Sequence, residues 1–438
     1  MLSLRDRDMY WDERHETIRP AELEALQLRR LRETLGRVQN VPFYRDLLAR
    51  EGVRPDEIRT LEDVRKLPFT KKQDLRNGYP FGFFAVPMRE VVRIHTTSGT
   101  TGKPTVVGYT RGDLDHWSDL IARNMTMIGL TEDDVFQNAV NMGMFTGGLG
   151  FHYGAEKVGM TVLPAGTGNT RRQIEMIDDF GVTAIHCTPS YAMHLAEVAE
   201  EMGSDLPSLR TGMFGAEPWS DATRTELQDR LGVTAFDSYG MSELYGPGVA
   251  FECPEQDGLH IWHDMYLVEI IDPATGEVLG PGERGELVVT PLVKEAMPLL
   301  RYRTGDITML LEEDCPCGRM QRIARFSGRV DDMLIIRGIN VFPSQIEHIL
   351  MALPEVGDQF MVYVDRNEHH LDEMTIHVEV KRQYFSGELS DLARIQQKIV
   401  RALRDTLELR TAVQLVEPGS LPRFEGKAKR VVDRRTTV

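Results

Sequence analysis

The chain is poor in cysteine, has no long apolar run and carries no surplus of positive charge. Only 4 cysteines occur in 438 residues, too few for a disulfide framework. No apolar stretch has the length needed to cross a bilayer, and the first residues lack the apolar core of a signal peptide. We therefore expect a cytoplasmic protein without a membrane partner. The net charge of −16 argues against a general nucleic-acid binder, so any phosphate site must be locally basic.

Internal repeats, low-complexity segments and long disordered linkers are also absent from the sequence. The length suits roughly two or three domains with large cores. Helical patterns with leucines at 23, 26, 28, 31 and 35 occupy 12–50, and a second helical piece is predicted near 55–66.

Helical and apolar segments alternate from 113 to about 250, which predicts a mostly parallel sheet covered by helices on both faces. The predicted helices are 113–127, 148–158, 170–179, 191–201 and 221–231. The predicted strands are 135–140, 161–164, 182–187, 209–214 and 233–237. Ligands of such sheets bind beyond the carboxyl ends of the strands, where turns at 215–218 and 239–243 are predicted.

The next part of the chain, at about 251–330, is predicted to be rich in β-strands. The predicted strands are 268–271, 285–290 and 307–311. Beyond 331 a small α+β unit is predicted. Its elements are a helix at 343–351, strands at 359–364 and 374–380, a helix at 389–407 and a strand at 412–416. The fold class is therefore α/β, with a large N-terminal part and a small α+β C-terminal part.

A polar loop between two apolar runs, 91–94 and 105–109, predicts a phosphate cradle joined to two strands. Its glycines allow close backbone approach, and its hydroxyls and free N–H groups could surround an anion. A Walker A loop is excluded, because that motif needs glycine at Thr97 and a hydroxyl residue at Pro104. The alternative is a polar hairpin turn without a ligand. The residues of the predicted cradle are Ser98, Gly99, Thr100, Thr101, Gly102 and Lys103.

Three of the four cysteines suggest a metal site. Cys315 and Cys317 flank a proline in a turn, and Cys253 and His260 lie upstream in the same β-rich part. Three thiols and one imidazole would complete a tetrahedral structural zinc site, in which His263 could replace His260. The alternative is two exposed, reduced cysteines in a loop. Cys187 lies in an apolar strand and is predicted to be a core residue.

Four stretches follow the polar loop in a characteristic order and spacing. They are Asp237-Ser238-Tyr239-Gly240-Met241-Ser242-Glu243, Tyr302-Arg303-Thr304-Gly305-Asp306, the segment 328–347 and Pro422-Arg423-Phe424-Glu425-Gly426-Lys427-Ala428-Lys429-Arg430. Together with the loop they resemble the adenylate-forming superfamily of acyl- and aryl-CoA synthetases, luciferases and peptide-synthetase adenylation domains.

Further motifs are similar to the phenylacetate–CoA ligase branch of that superfamily. They are Arg93-Ile94-His95, Phe145-Thr146-Gly147-Gly148, Phe214-Gly215-Ala216-Glu217-Pro218-Trp219 and Phe342-Pro343-Ser344-Gln345. The resemblance covers nearly the whole chain. It implies ligation of an aryl acid, phenylacetate or a close relative, to coenzyme A through an acyl-adenylate, with ATP and Mg²⁺ as cofactors. Two alternatives are transfer to a carrier-protein thiol and an inactive homologue acting as a binding module. A homodimer is left open.

The resemblance also implies roles for single residues. Loop 98–103 would hold the β- and γ-phosphates, Glu243 would hold Mg²⁺ and Asp306 would bind both ribose hydroxyls. Arg329 would contact ribose or phosphate, and Tyr239 would stack on adenine. Without the resemblance, Glu243 would be interpreted as a residue at the start of a helix and Asp306 as a residue of a turn. The other implied ATP or AMP contacts are Gly215, Ala216, Glu217, Pro218, Asp237, Ser238, Gly240, Met241 and Ser242.

The resemblance divides the chain into an adenylation domain at 1–330 and a small, mobile domain at 331–438, with a hinge at Asp331. Lys427 would be catalytic in adenylation, and Lys429 is the competing candidate. After adenylation the small domain would rotate, so that Lys427 leaves the site. The loop with Arg337, Gly338 and Asn340 would then face the acyl-adenylate. A capping aspartate before a strand is the alternative for Asp331.

The acyl pocket is expected between the ends of the central strands. Its stretch 138–144 lacks the aromatic side chains of relatives that act on phenylacetate, which leaves the aromatic acid open. Asn141 could bind a substituent of the acid or simply satisfy backbone groups. The predicted lining residues are Val140, Asn141, Phe145, Gly215, Tyr239 and Pro247.

Overall fold

The computed structural model describes residues 9–97, 104–330, 334–336, 339–366, 372–385, 389–407, 409–424 and 429–435. The α-helices are α1 Glu13–Glu16, α2 Pro20–Val38, α3 Pro42–Arg50, α4 Lys72–Asn77, α5 Arg111–Met127, α6 Thr146–Val158, α7 Thr170–Phe180, α8 Pro189–Met202, α9 Asp221–Leu231, α10 Pro343–Met351 and α11 Leu389–Leu407. Among the described helices, none is both long and apolar enough to cross a membrane.

Within the described residues, the strands form three larger sheets and two hairpins. They are β1 Arg93–Thr96, β2 Val106–Tyr109, β3 Val135–Asn138, β4 Thr161–Leu163, β5 Ala184–Cys187, β6 Thr211–Gly215, β7 Thr234–Met241, β8 Gly246–Glu252, β9 Leu259–Ile261, β10 Tyr266–Ile271, β11 Gly285–Pro291, β12 Tyr302–Thr308, β13 Arg322–Ile323, β14 Gly328–Arg329, β15 Leu334–Ile336, β16 Ile339–Val341, β17 Val356–Arg366, β18 Asp372–Val380, β19 Ala412–Val416 and β20 Val431–Asp433.

The central sheet has the order β13-β9-β8-β7-β6-β5-β3-β4. The strands β4, β3, β5, β6 and β7 run parallel, and β8, β9 and β13 extend the sheet antiparallel. Successive side chains of a strand point to opposite faces. Met213 and Phe236 accordingly pack in the core beside α5 and α6, while Phe214 and Ala235 pack in the core beside α7, α8 and α9. The predicted two-sided parallel sheet is confirmed.

The helices on one face of this sheet are bounded by local signals. The helices α7, α8 and α9 begin after Asn169, Thr188 and Ser220, whose side chains accept a backbone N–H of the first turn. Each of the three helices ends at a glycine in the left-handed conformation. Cys187, at the end of β5, is buried in this core as predicted.

The helical pattern at 12–50 divides into three helices, because Pro20 and Pro42 stand at the first positions of α2 and α3. Leu23 and Leu35 are among the leucines of α2 that are buried, while Leu28 is half-buried. The predicted piece near 55–66 forms two short 3₁₀ helices, Pro55–Glu57 and Glu62–Lys66, rather than one helix.

A second sheet, β10-β11-β12-β14, is antiparallel. The prediction of a strand at 307–311 was wrong in position, since β12 spans Tyr302–Thr308 with strictly alternating burial. Leu310 forms only an isolated bridge with Ile323. The predicted turn at 239–243 was also partly wrong. Residues 239–241 continue β7, because they pair with the unpredicted strand β8, and only Ser242–Leu244 turns.

The C-terminal unit forms the sheet β19-β18-β17-β20, with α10 and α11 packed on it. Among the described residues, its apolar core, which includes Val362, Ile376 and Leu403, shares no member with the cores of the large part. The predictions for α10, α11 and β19 are confirmed to the residue. The hairpin β15–β16 and the strand β20 were not predicted. The proposed boundary at 330/331 stays a prediction.

Candidate active site

Three predicted ATP-site residues meet beside the carboxyl end of the central sheet. Tyr239 donates a hydrogen bond from Oη to Oδ2 of the buried Asp306 at 2.7 Å. Arg329 forms an ion pair with Oδ1 of Asp306, which it opposes in the β12–β14 register. Arg329 Nη2 also donates to the carbonyl of Thr304 at 3.2 Å. The two strands of the second sheet therefore present a carboxylate and a guanidinium to the tyrosine of β7.

The orientation of the Tyr239 ring is set by packing as well as by this hydrogen bond. The ring stacks on Phe326, with centroids 4.1 Å apart and an interplanar angle of 27°. A flat ligand such as adenine would therefore have to use the other face of the ring. Burial, and after it the charge of Asp306, raise the pKa of Tyr239 well above its ordinary value. The hydroxyl is thus held as a neutral donor.

The loop after β6 lies against β7. A Cβ at Gly215 would come within 2.2 Å of the Ser238 carbonyl oxygen, so glycine permits this close approach. Ala216 adopts a left-handed φ of 71°. Glu217 accepts the backbone N–H of Ser190 at 2.7 Å, which caps the start of α8. The loop is therefore anchored to both the sheet and α8.

Asp237 is engaged in a similar way. Its carboxylate accepts from Arg325 Nε at 3.1 Å, and its backbone N–H donates to the buried Glu252 at 2.7 Å. Asp237 and Glu217, two of the carboxylates that the resemblance assigned to ATP, thus have structural partners. Their part in nucleotide binding stays a prediction.

Glu243 lies on the 3₁₀ turn that follows β7, and it is buried. Tyr302 Oη donates to Glu243 Oε1 at 3.3 Å. Burial, and after it the charge of Glu243, raise the pKa of Tyr302 well above its ordinary value. The neighbouring Ser242 hydroxyl lies 3.0 Å from that of Thr146 at the start of α6. The turn thus carries a carboxylate with a neutral donor, next to the Phe-Thr-Gly-Gly segment.

Lys294 was missed by the sequence reasoning. It is fully buried, and its Nζ lies 4.5 Å from the ring centroid of Tyr109 and 4.6 Å from that of Tyr245. Within the described part of the chain, Nζ has no hydrogen-bond partner. Burial lowers the pKa of Lys294 to about 8, whereas Asp113 and Glu243 act in the opposite direction. A lysine that directly follows the apolar pair at 292–293 was the only local signal.

The two tyrosine rings connect Lys294 to the turn that bears Glu243. Tyr109 Oη donates to the carbonyls of Ser242 and Tyr245, at 3.2 and 2.8 Å. Tyr245 Oη donates to Asp113 at 3.1 Å. Lys294 therefore supplies a buried positive charge behind the turn.

Three residues of the predicted acyl pocket have contacts or an exposure that the structure describes. Asn141 Oδ1 accepts the backbone N–H of Gly143 at 2.7 Å, so it satisfies a backbone group, which was the second of its two predicted roles. Phe145 is exposed, and the carbonyl of Pro247 accepts from Trp117 Nε1 at 3.0 Å. The lining of the pocket by Val140, Asn141, Phe145, Gly215, Tyr239 and Pro247 stays a prediction.

His95, from the Arg93-Ile94-His95 motif, is buried beside this segment. Its Nδ1 lies 3.0 Å from the Met144 carbonyl, and its ring meets Trp117 edge-on. Burial lowers the pKa of His95, and its Nε2 has no hydrogen-bond partner among the residues described. A neutral imidazole is therefore directed at the region between β1 and α6.

A second cluster brings together the predicted metal ligands. The ligand atoms of Cys253, His260, Cys315 and Cys317 all lie within 4.8 Å of one another. The sulfurs of Cys253 and Cys315 are 3.6 Å apart, and Cys317 Sγ lies 3.2 Å from His260 Nε2. Two thiolates bound to one zinc ion lie about 3.8 Å apart, given tetrahedral angles and zinc–sulfur bonds of about 2.3 Å. The donor set and its spacing therefore fit a zinc ion.

The tautomer of His260 also suits a metal. Its Nδ1 lies 3.0 Å from the Met320 carbonyl, so Nδ1 is the protonated nitrogen and Nε2 faces the sulfurs. The Cys253 thiol and then His260 lower the pKa of Cys317, which favours the thiolate. His263 is buried elsewhere and does not belong to the cluster, so His260 is the histidine of this group.

Comparison with known proteins agrees with this geometry. A family description of AMP-binding enzymes matches residues 44–291, and one of the AMP-binding enzyme C-terminal domain matches residues 338–435. The phenylacetate–coenzyme A ligase of Escherichia coli (strain K12) is 47% identical over 428 residues, with 97% of each chain covered. The chain belongs to the phenylacetate–coenzyme A ligase family of AMP-binding enzymes. The family member of Thermus thermophilus is 48% identical over 438 residues, covering 96% of this chain and 98% of its own.

A solved structure similar to this family member is that of 2-hydroxyisobutyryl-CoA ligase, at 30% identity. Its postadenylation state in complex with 2-HIB-AMP gives a TM-score of 0.93 and covers 99% of this chain and 94% of that one. Its thioesterification state with 2-HIB-AMP and CoA gives only 0.73, with 98% and 93% covered. The two parts of this chain are therefore arranged as in the postadenylation state.

Several predicted site residues of this family member lie outside the described residues. They are the loop Ser98, Gly99, Thr100, Thr101, Gly102 and Lys103, and also Asp331, Arg337, Gly338 and Lys427. The strands β1 and β2 that flank the loop do pair, with Thr96 opposite Val106. Asn340 lies on β16, opposite Ile335.

Proposed function

We propose that this chain joins phenylacetate, or a close aryl acid, to coenzyme A through an acyl-adenylate, and that AMP and pyrophosphate are released. It is then an AMP-forming acid–thiol ligase. The observation that carries the proposal is the near full-length identity of 46–48% to phenylacetate–coenzyme A ligases. The meeting of Tyr239 with Asp306 and Arg329 supports it, because Tyr239 comes from the central sheet and the other two residues come from the second sheet.

In the first half-reaction a carboxylate oxygen of the acid attacks the α-phosphorus of ATP, and pyrophosphate leaves. The acid and the phosphates are both anionic, so catalysis is mainly positioning and charge stabilisation. We assign Asp306 to the two ribose hydroxyls and the open face of Tyr239 to adenine. Loop 98–103 would hold the β- and γ-phosphates, and Lys427 would approach the α-phosphate.

In the second half-reaction the sulfur of coenzyme A attacks the acyl carbonyl, AMP leaves and the thiol proton is released. AMP is a far better leaving group than oxide, which is why the acid is adenylated first. The small unit would rotate about Asp331, so that the loop with Arg337, Gly338 and Asn340 replaces Lys427 at the site.

We propose that Glu243 holds Mg²⁺ when ATP binds. The fit rests on a buried carboxylate that accepts a hydrogen bond from the neutral Tyr302 hydroxyl at 3.3 Å, so its oxygens remain hard donors for a cation. Bound Mg²⁺ would neutralise phosphate charge. Glu243, placed by the turn after β7, would orient that charge toward the phosphates.

We further propose that Cys253, His260, Cys315 and Cys317 hold a structural Zn²⁺. The set has four protein ligands, as structural zinc sites have, and so leaves no position for a substrate. His260 lies on β9 and Cys253 directly follows β8 of the central sheet, while Cys315 and Cys317 come from the loop before β13. The metal would therefore tie this loop to the sheet.

A cytoplasmic location stays a prediction. A homodimer also stays a prediction, which sedimentation of the purified protein can test.

The decisive experiment is a panel of acids scored for thioester formation with ATP and free coenzyme A. Phenylacetate, its ring-substituted relatives and benzoate should be compared with an aliphatic acid of similar size. We expect phenylacetate or a close aryl acid to give the highest kcat/KM, with one AMP released per thioester. Adenylation without transfer to coenzyme A, followed by transfer to a carrier-protein thiol, would identify the carrier alternative. Failure to bind ATP would identify an inactive homologue.

A further inference from the structure

Arg423 lies among three carboxylates, two from the small C-terminal unit and one from the large part. Its Nη1 and Nη2 each bond one oxygen of Glu379 at 2.9 Å, in a paired arrangement. Its Nε lies 3.8 Å from Glu197 Oε2 on α8. Asp358, at the start of β17, also acts on the charge of Arg423. The planar guanidinium group of arginine has five N–H donors and can therefore contact several carboxylates at once.

Glu379 anchors the segment that leads to Lys427. It is buried on β18, and its Oε1 also accepts the backbone N–H of Leu421 at 2.8 Å. The carboxylate thereby fixes both the backbone and the arginine of this segment. Lys427 follows Arg423 by only four positions in the sequence, so Glu379 anchors the chain shortly before the proposed catalytic lysine.

Glu197 belongs to the opposite side of the contact. It is half-buried on α8, and Nδ1 of His194 lies 3.5 Å from its Oε2. Burial, and after it the charge of Asp358, raise the pKa of Glu197, whereas Arg423 lowers it. Glu197 and Asp358 thus repel each other across the two parts, and Arg423 offsets that repulsion.

We propose that Arg423 and Glu197 are positioning residues for the adenylation half-reaction. Arg423 attracts Glu197 and so offsets the repulsion between Glu197 of the large part and Asp358 of the small unit. This contact holds the small unit in the arrangement seen here. The inference rests on the proposed role of Lys427. It goes beyond that role because it assigns the control of orientation to an acidic helix face and one arginine.

A second contact of the same kind lies nearby. Lys381, just after β18, is 3.7 Å from Glu226 of α9. Both contacts join cations of the small unit to carboxylates of the large part. A rotation that brings residues 337–340 to the site has to separate such pairs. The postadenylation arrangement, which this chain matches better than the thioesterification state, is therefore the one they stabilise.

The test is Glu197→Gln, which keeps the size of the side chain and removes its charge. We expect the adenylation half-reaction to slow by about three-fold, as for a partly exposed ion pair. Thioester formation from chemically supplied acyl-AMP should be unchanged or faster. Glu200→Gln is the matched control, because Glu200 lies on the same helix but pairs with Arg230 of the same part at 2.7 Å. It should leave both half-reactions unchanged.

A sharper test asks whether Glu197→Gln slows or speeds adenylation when it is added to the variant Arg423→Met. Arg423→Met should slow adenylation by about ten-fold or more, since a close charge pair is lost and repulsion remains. Adding Glu197→Gln to Arg423→Met should then restore part of the rate, because it removes the repulsion from Asp358. The same change is thus harmful alone and beneficial in combination.

The outcomes separate this inference from the proposed function. Equal effects of Glu197→Gln on both half-reactions, no effect on either, or a double variant no faster than Arg423→Met would overturn the inference. Lys427→Ala is measured alongside. If Lys427→Ala loses adenylation selectively while Glu197→Gln does not, the proposed function stands and the positioning role is rejected. If Arg423→Met does not fold, Glu197→Gln with its control decides alone.

Discussion

Tyr239 and Asp306 are joined by a hydrogen bond of 2.7 Å, although 67 residues separate them in the chain. Tyr239 stands on β7 of the central sheet and Asp306 on β12 of the second sheet. The bond therefore links the two sheets at the proposed nucleotide site. One face of the Tyr239 ring stacks on Phe326, so the proposed contact with adenine requires the other face.

Tyr239→Phe should weaken ATP binding and lower stability modestly. The change keeps the ring and removes a hydrogen bond to a buried carboxylate, a contact worth about 1.5–3 kcal/mol. We expect the KM for ATP to rise and the free energy of unfolding to fall by about 1.5 kcal/mol. Titration with ATP and urea unfolding measure the two effects. Tyr384→Phe, at an exposed tyrosine of the small unit, is the control, and equal behaviour of the two variants would count against the assignment.

Lys294→Ala should strongly destabilise the large part. The change removes the cation held over Tyr109 and Tyr245 and leaves Asp113 and Glu243 without it. Removing one side of a buried charge arrangement costs about 3 kcal/mol or more. Urea unfolding should show this loss, whereas Lys71→Ala, at an exposed lysine, should be nearly neutral. An unchanged free energy of unfolding in Lys294→Ala would mean that the buried charge has no stabilising role.

Zinc should co-purify at about one ion per chain if the Cys–His cluster is a structural site. The double substitution Cys315→Ser and Cys317→Ser should lose the metal and lower the unfolding midpoint, because the loop is no longer tied to β9. ATP binding should survive. Cys187→Ala, at a buried cysteine away from the cluster, should keep the metal. Metal analysis that finds no zinc in freshly purified, reduced protein would reject the site.

Lys427→Ala should impair adenylation selectively. Loss of one preorganised charge contact to the transition state costs about 10²–10³ in rate. Thioester formation from supplied acyl-AMP uses the other arrangement and should be largely intact. Lys429→Ala, at an exposed residue, is the matched control. If supplied acyl-AMP is turned over as poorly as acid plus ATP, Lys427 is not dedicated to adenylation. If only Lys429→Ala is impaired, the two lysines exchange roles.

Asp331→Pro should affect the two half-reactions unequally. Proline fixes φ and removes a backbone donor, so one arrangement of the small unit should become favoured. Rates of adenylation and of thioester formation, measured on the same preparation, give the ratio. Asp331→Ala keeps the backbone free and should change the ratio less. An equal loss of both rates in a folded protein would place the hinge elsewhere.

Much of the architecture follows from local patterns in the sequence. The helices α10 and α11 and the strand β19 have the predicted bounds, because amphipathic periodicity and a proline at the start of α10 act within a few residues. The alternating helices and strands of the central sheet are equally local. The chemistry of the site was also visible, since the carboxylates, thiols and glycines stand in recognisable order.

Contacts between distant segments were decided only by the tertiary structure. The strand β12 begins at Tyr302 because it pairs with β11, and β8 exists because it pairs with β7. The choice of His260 over His263 depends on the pairing of β9 with β13, which sets the direction of the imidazole. The hydrophobic periodicity of the sequence predicts neither the burial of Lys294 nor the contact between Arg423 and Glu197. Burial and charge pairing depend on the residues that surround a group in space, and a linear sequence does not state which residues those are.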